Sequence, residues 1–145
     1  MTYIPAETRR IVMQRAGSCC EYCRQEVADR LLPFEIDHVI AEKHGGATNV
    51  DNLCLACFRC NGFKGSDIAG ADPQTGRATF LFNPRTQRWD DHFRLNGALI
   101  EPLTPESRVT VFLLRLNAPI QIEQRTVLLL EGSYPCEPSS DSTLP

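Results

Sequence analysis

The sequence predicts an α+β fold, and three observations carry that expectation. Two Cys-x-x-Cys units, at Cys20 and Cys23 and at Cys57 and Cys60, bracket residues 24–56. Inside the bracket, FEIDHVI alternates with a period of two, Phe34 and Ile36 on one face and Glu35 and Asp37 on the other, which is the signature of a strand. Towards the C-terminus, Val109, Phe112, Leu113 and Leu116 recur at helical spacing.

Length and charge bound the problem. A chain of 145 residues suits one compact domain, and 42% hydrophobic with 23% charged residues describes a globular protein with enough apolar mass for a core. The net charge of −3 excludes a polybasic nucleic-acid coat, although not a local basic groove. No run of about 18 apolar residues exists to span a membrane, and the N-terminus MTYIPAETRR carries charges where a signal peptide needs an apolar stretch. A cytoplasmic protein with no membrane association is expected. The same reading divides the chain into a core over 1–70, an α+β extension packed on it over 71–131, and a mobile Pro- and Ser-rich tail over 132–145.

The elements follow in order. PAETRRIVMQRAG has Pro5 at a helix start and Gly17 as its stop. SCCEYC reads as a metal knuckle. After the FEIDHVI strand, AEKHGGATNVDN is a polar, Gly-containing surface loop, and NLCLAC is the return strand of a long-looped hairpin. FRCNGFKGSDIAG is helical or turn-rich. ATFLFNP is a short strand, and HFRLNGALIEP is a hairpin with Asn96-Gly97 suited to a type I′ turn. Thr104 caps and Pro105 opens a helix, and Pro119 starts another that ends near Gly132. The leucines of these last helices are expected in the core.

Seven cysteines, six of them in two clusters, point to metal ligation rather than disulfides in a reducing compartment. Cys-x-x-Cys lets two sulfurs turn towards one ion, so Cys20, Cys23, Cys57 and Cys60 are the preferred ligands of a tetrahedral zinc site. Cys19 for Cys20, and Cys54 with Cys57, remain alternative registers. Cys54 is otherwise a small strand residue, Cys19 a neighbour of the site, and Cys136 no ligand. Four thiolates leave no open position, so this zinc is structural.

The chemistry then falls to Asp37, His38, Asn52 and Asn61. A carboxylate and an amide oxygen are hard donors suited to Mg²⁺, and an adjacent imidazole is placed to take a proton from water near neutral pH. Adjacent strand residues point to opposite faces, so Asp37 and His38 can share one task only if the strand end is twisted or bulged. Lys64, Arg59 and, secondarily, His44 are candidates for holding phosphate oxygens. His92 with its neighbours Trp89 and Phe93 reads as packing, and Arg85, Arg88 and Arg94 as partly solvated.

The string FEIDHVIAEKHGGATNVDNLCLACFRCNGFKG, with Asp37-His38, Gly45-Gly46, Asn52-Leu53, Cys60-Asn61 and Lys64 in order, resembles the HNH endonucleases of the ββα-metal fold over about residues 18–66. The resemblance implies that His38 is the general base, that Asp37 and Asn61 hold one Mg²⁺ or Mn²⁺ ion at the scissile phosphate, and that Asn52 bridges the loop backbone and steadies the His38 ring. Asn61 stands where the family often has His. The implied function is metal-dependent hydrolysis of DNA phosphodiester bonds by a monomer or homodimer. A catalytically inactive zinc-stabilised nucleic-acid-binding module is the alternative, and a thiol redox sensor the third.

Overall fold

The computed structural model describes residues 2–27 and 32–138. Its first element is α1 (Ala6–Ala16), which Pro5 precedes and Gly17 ends in the left-handed conformation, donating its N–H to Gln14 O. β1 (Glu35–His38) and β2 (Leu53–Ala56) pair antiparallel with Glu35 opposite Ala56 and His38 opposite Leu53. α2 (Phe58–Lys64) follows, capped by the Cys57 sulfur accepting the Cys60 N–H. These three elements form the expected ββα unit.

Strict alternation along β2 lets a fully buried strand serve two layers. Leu53 and Leu55 pack with Ile4, Val12 and Ala16 against α1, and Ile36 of β1 joins them. Cys54 and Ala56 face the other way, into a cluster shared with the paired cysteines, Tyr22, Phe82, Trp89, Phe93, Ile100 and Val109. That cluster is one continuous apolar core spanning the knuckles and the C-terminal half.

The C-terminal half holds β3 (Ala69–Ala71) and β4 (Ala78–Phe80), a one-turn helix α3 (Trp89–His92), β5 (Phe93–Asn96) and β6 (Leu99–Pro102), then α4 (Pro105–Leu113) and α5 (Pro119–Leu130). β3 and β4 pair antiparallel, as do β5 and β6, each as a separate two-stranded sheet. The helical or turn-rich reading of residues 58–70 holds for α2 and the turn after it, and only Ala69 and Gly70 at its end belong instead to β3. The β3–β4 turn is built by Asp72, which accepts from the Gln74 N–H and the Thr75 hydroxyl, a local pattern that ADPQTG carries in its composition. Asn96 pairs with Leu99, so the β5–β6 turn is Gly97-Ala98 rather than Asn96-Gly97. Gly97 supplies the positive φ that the first turn position needs. Thr104 caps α4 through a reciprocal bond with Ser107, as its position before Pro105 suggests.

Two further expectations need correction. The leucines of the last helices are core only in part: Leu114 and Leu116 are buried and Leu113 packs against them, but Leu130 is 85% exposed, Phe112 beside them is 64% exposed, and the buried residues of α5 are Gln121 and Arg125. Arg125 is buried because its guanidinium satisfies Ala98 O at 2.7 Å and Asn117 Oδ1 at 3.1 Å, so polar partners rather than apolar neighbours seat that helix. The described part of the C-terminal segment also returns across the first knuckle. The Tyr134 hydroxyl donates to Cys23 O at 2.8 Å and the Cys136 N–H to Arg24 O at 2.9 Å. These bonds bring Cys136 within a Cα distance of 5.6 Å of Cys19, and the two form a disulfide, where metal chemistry alone had been expected of the clustered thiols.

Candidate functional site

The knuckles meet as the spacing requires. Cys20, Cys23, Cys57 and Cys60 are all buried, and their sulfurs lie within 4.8 Å of one another. The alternative registers fall away, because Cys19 is in the disulfide and Cys54 sits on β2 opposite Asp37. A tetrahedron with metal–sulfur arms of about 2.3 Å has edges of about 3.8 Å, and the Cys23 and Cys57 sulfurs are 3.8 Å apart. The cluster therefore fits a closed four-thiolate zinc site. Bonds from the Cys20, Cys23 and Cys60 sulfurs pull the Cys57 thiol well below its ordinary range. Burial pushes Cys20 the opposite way.

The C-terminal half clasps this cluster. Trp89 Nε1 donates to Tyr22 O at 2.8 Å, and the Arg24 guanidinium stacks over the Trp89 ring at 4.9 Å. Arg85 pairs with Glu21, whose second carboxylate oxygen accepts the Leu55 N–H at 2.8 Å. Burial raises the Glu21 carboxyl against the pull of Arg85. Arg85 is thus a structural cation, not a solvated one.

From the clamped end of β2 the chain presents the candidate reactive residues. Among the described residues β1 pairs only with β2, which leaves its outer edge open, and an open cleft of ≈520 Å³ runs along it. Glu35, Asp37 and His38 line this cleft together with Arg9, Glu42 and Ser66. The β1–β2 register is continuous and unbulged, so Asp37 and His38 do leave on opposite faces of the ribbon. They reach one cleft because the ribbon has a free edge, which corrects the requirement for a bulge.

α2 lies on the Glu35 and Asp37 face. The Asn61 amide donates to Glu35, and Lys64 Nζ lies 2.9 Å from Asp37 Oδ2 while donating to His38 O at 3.0 Å. Lys64, expected to face phosphate, is only 1% exposed and holds β1 to α2 from inside. Burial raises the Asp37 carboxyl, and the Lys64 charge pulls it back down. Asp37 and Asn61 thus flank one β1–α2 junction, a carboxylate and an amide oxygen of the kind that hard divalent ions take.

The loop between the strands is held by Asn52. Its Oδ1 accepts the Ile40 N–H at 2.9 Å, and its Nδ2 donates to Ile40 O and Ala47 O, each at 2.9 Å. Gly46 is needed where the loop closes, since a Cβ there would lie 1.7 Å from Ile40 O. The backbone bridging expected of Asn52 is present. The His38 ring, however, is held by Thr48 at 2.9 Å and Glu42 at 3.3 Å, not by Asn52. His44 is exposed on the short turn Glu42–His44, Arg59 is half-buried on α2, and neither lines the cleft. Arg9 does line it, a cation that sequence reading missed because nothing in the α1 pattern marks which helix face meets β1. His92 bonds Thr104 at 2.7 Å and packs against Phe82, so it is structural.

Among the described residues no helix is long and apolar enough to cross a membrane. Comparison with curated proteins and with solved structures returned no match. Comparison with protein families matched residues 20–67 to the HNH endonuclease family, a segment that opens at the first knuckle and closes just beyond α2. The paired knuckles, the β1–β2 hairpin and α2 coincide with that segment, and residues 20–67 are thus similar to the HNH endonuclease family in sequence.

Proposed function

We propose that the protein hydrolyses DNA phosphodiester bonds with one Mg²⁺ or Mn²⁺ ion, His38 acting as general base and a zinc ion on Cys20, Cys23, Cys57 and Cys60 holding the fold. The observation that carries this reading is the convergence of Asp37 and His38 on one open cleft inside the HNH segment. Zinc on four thiolates contributes folding free energy and orientation only.

The electrostatics of the cleft favour metal dependence. Among the described residues, Glu35, Asp37 and Glu42 line it against one arginine, Arg9, and Lys64 is turned inwards. A phosphodiester entering such a cleft meets repulsion unless a cation intervenes. Asp37 and Asn61 would hold that cation, which supplies charge relief on the phosphoryl oxygens. Lys64 fixes the Asp37 carboxylate from behind, Asn52 fixes the loop, His38 receives the proton of the attacking water, and Arg9 contacts a neighbouring phosphate. DNA as the nucleic acid, the metal identity and an intracellular setting belong to this proposal.

The test is incubation of zinc-loaded protein with supercoiled plasmid in Mg²⁺ or Mn²⁺, beside His38→Ala, Asp37→Asn and a chelator. Nicking that each of the three abolishes supports the reading. Retained DNA binding without nicking by the unaltered protein would instead establish an inactive nucleic-acid-binding module.

A further inference from the structure

The residues around the His38 ring carry a further step, which rests on the proposed hydrolysis and deepens it. Nε2 of His38 lies 2.9 Å from Thr48 Oγ1 and 3.3 Å from Glu42 Oε1. Thr48 has one hydroxyl proton, and it is donated to Glu42 Oε1 at 2.8 Å. The second oxygen of Glu42 accepts the Thr2 hydroxyl at 2.6 Å. These two hydroxyl bonds, that from Thr2 first, lower the Glu42 carboxyl below its usual range and keep it ionised.

The direction of the chain follows from the proton inventory. An ionised carboxylate has no proton to offer, and the Thr48 proton is already committed to Glu42. Both groups facing Nε2 are therefore acceptors. The ring proton belongs on Nε2, the lone pair is on Nδ1, and the described residues give Nδ1 no hydrogen-bond partner. Thr48 itself is placed by the loop pin, because the Asn52 amide binds the carbonyl of the preceding residue, Ala47. A ring held by one nitrogen presents the other in a fixed direction, as oriented histidines elsewhere do.

We propose that Thr48 and Glu42 are positioning residues that hold His38 as its Nε2–H tautomer, so that Nδ1 is the atom that takes the proton from the attacking water. In that step a water O–H bond breaks and its proton passes to Nδ1. The freed oxygen electron pair forms the new P–O bond as the bond to the leaving sugar oxygen breaks. That oxygen departs with its electron pair and is protonated by solvent water.

The experiment uses the full zinc-loaded chain, unaltered and as Thr48→Val, Thr48→Ser and Glu42→Ala. Thr48→Val and Glu42→Ala should lower kcat for plasmid nicking by about 10- to 100-fold, the usual range for partners of a reactive group, with KM within about twofold. Thr48→Ser, which keeps the hydroxyl, should restore most of the rate. Nitrogen-15 NMR of the imidazole without Mg²⁺ or Mn²⁺ should show Nε2 protonated in the unaltered chain, and the Nδ1–H form gaining population in Thr48→Val. Unchanged kcat in folded Thr48→Val, failure of serine to rescue, or a ring proton on Nδ1 in the unaltered protein overturns the proposal. If the unaltered protein does not cut at all, the hydrolysis reading fails, while the NMR comparison still decides how the ring is held.

Discussion

Replacing Asn52 by alanine tests the loop that carries His38. The side chain makes three hydrogen bonds, all to backbone: one accepted from Ile40 N–H and two donated, to Ile40 O and Ala47 O. At a net value of about 1 kcal/mol for each, their removal weakens closure of the loop by about 3 kcal/mol. Since about 1.4 kcal/mol is a factor of ten, the open form gains roughly 100-fold in population. Hydrogen exchange of the Ile40 amide reads this directly, because in the intact loop that proton is held by Asn52 Oδ1. Exchange should accelerate by about that factor in Asn52→Ala under conditions where local opening governs it. Amides of α5, which lies outside the hairpin, serve as the internal reference and should change little. An Ile40 amide that exchanges at its original rate in the folded variant would refute the argument that this side chain holds the loop. A rise shared equally by α5 would show that global unfolding, not the loop, had been perturbed.

Other outcomes follow from the same geometry. Metal analysis should find one zinc per chain, lost in Cys57→Ser together with the fold, whereas Cys19→Ser keeps its zinc because Cys19 is outside the cluster. The Cys19–Cys136 disulfide closes a span of 117 residues, so Cys136→Ser should lower stability by about 4–5 kcal/mol on the chain-entropy argument, measured by denaturant unfolding with zinc retained. The Arg108 guanidinium beside Asp72 holds that carboxyl well below its ordinary range. A carboxyl so depressed contributes stability above its unfolded pKa of about 3.9 and loses it as pH falls towards its folded value. The stability advantage over Asp72→Asn should accordingly be full near neutrality and shrink below about pH 4, as followed by thermal unfolding across pH.

The parts of this protein legible in the sequence are those fixed by local chemistry. Cys-x-x-Cys can place two sulfurs on one ion whatever surrounds it, and the choice of Cys20, Cys23, Cys57 and Cys60 needed no tertiary information beyond their pairing. The alternation through Asp37, the loop with Gly45-Gly46 and Asn52, and the Thr104 cap before Pro105 are likewise local patterns, and each produced its element.

Partnership was decided only by the fold. Lys64 looks from the sequence like any helical cation, and becomes an internal strut because α2 lies on the Asp37 face of β1. Arg9, Glu42 and Thr48 carry no motif and reach the cleft or the His38 ring through the docking of α1 and the path of the loop. Cys136 finds Cys19 because Tyr134 anchors the returning chain at the knuckle, and Arg125 is buried because Ala98 O and Asn117 await it. Sequence periodicity reports which face of an element is apolar, whereas hydrogen bonds and ion pairs between distant segments depend on which faces meet, and that is a property of packing.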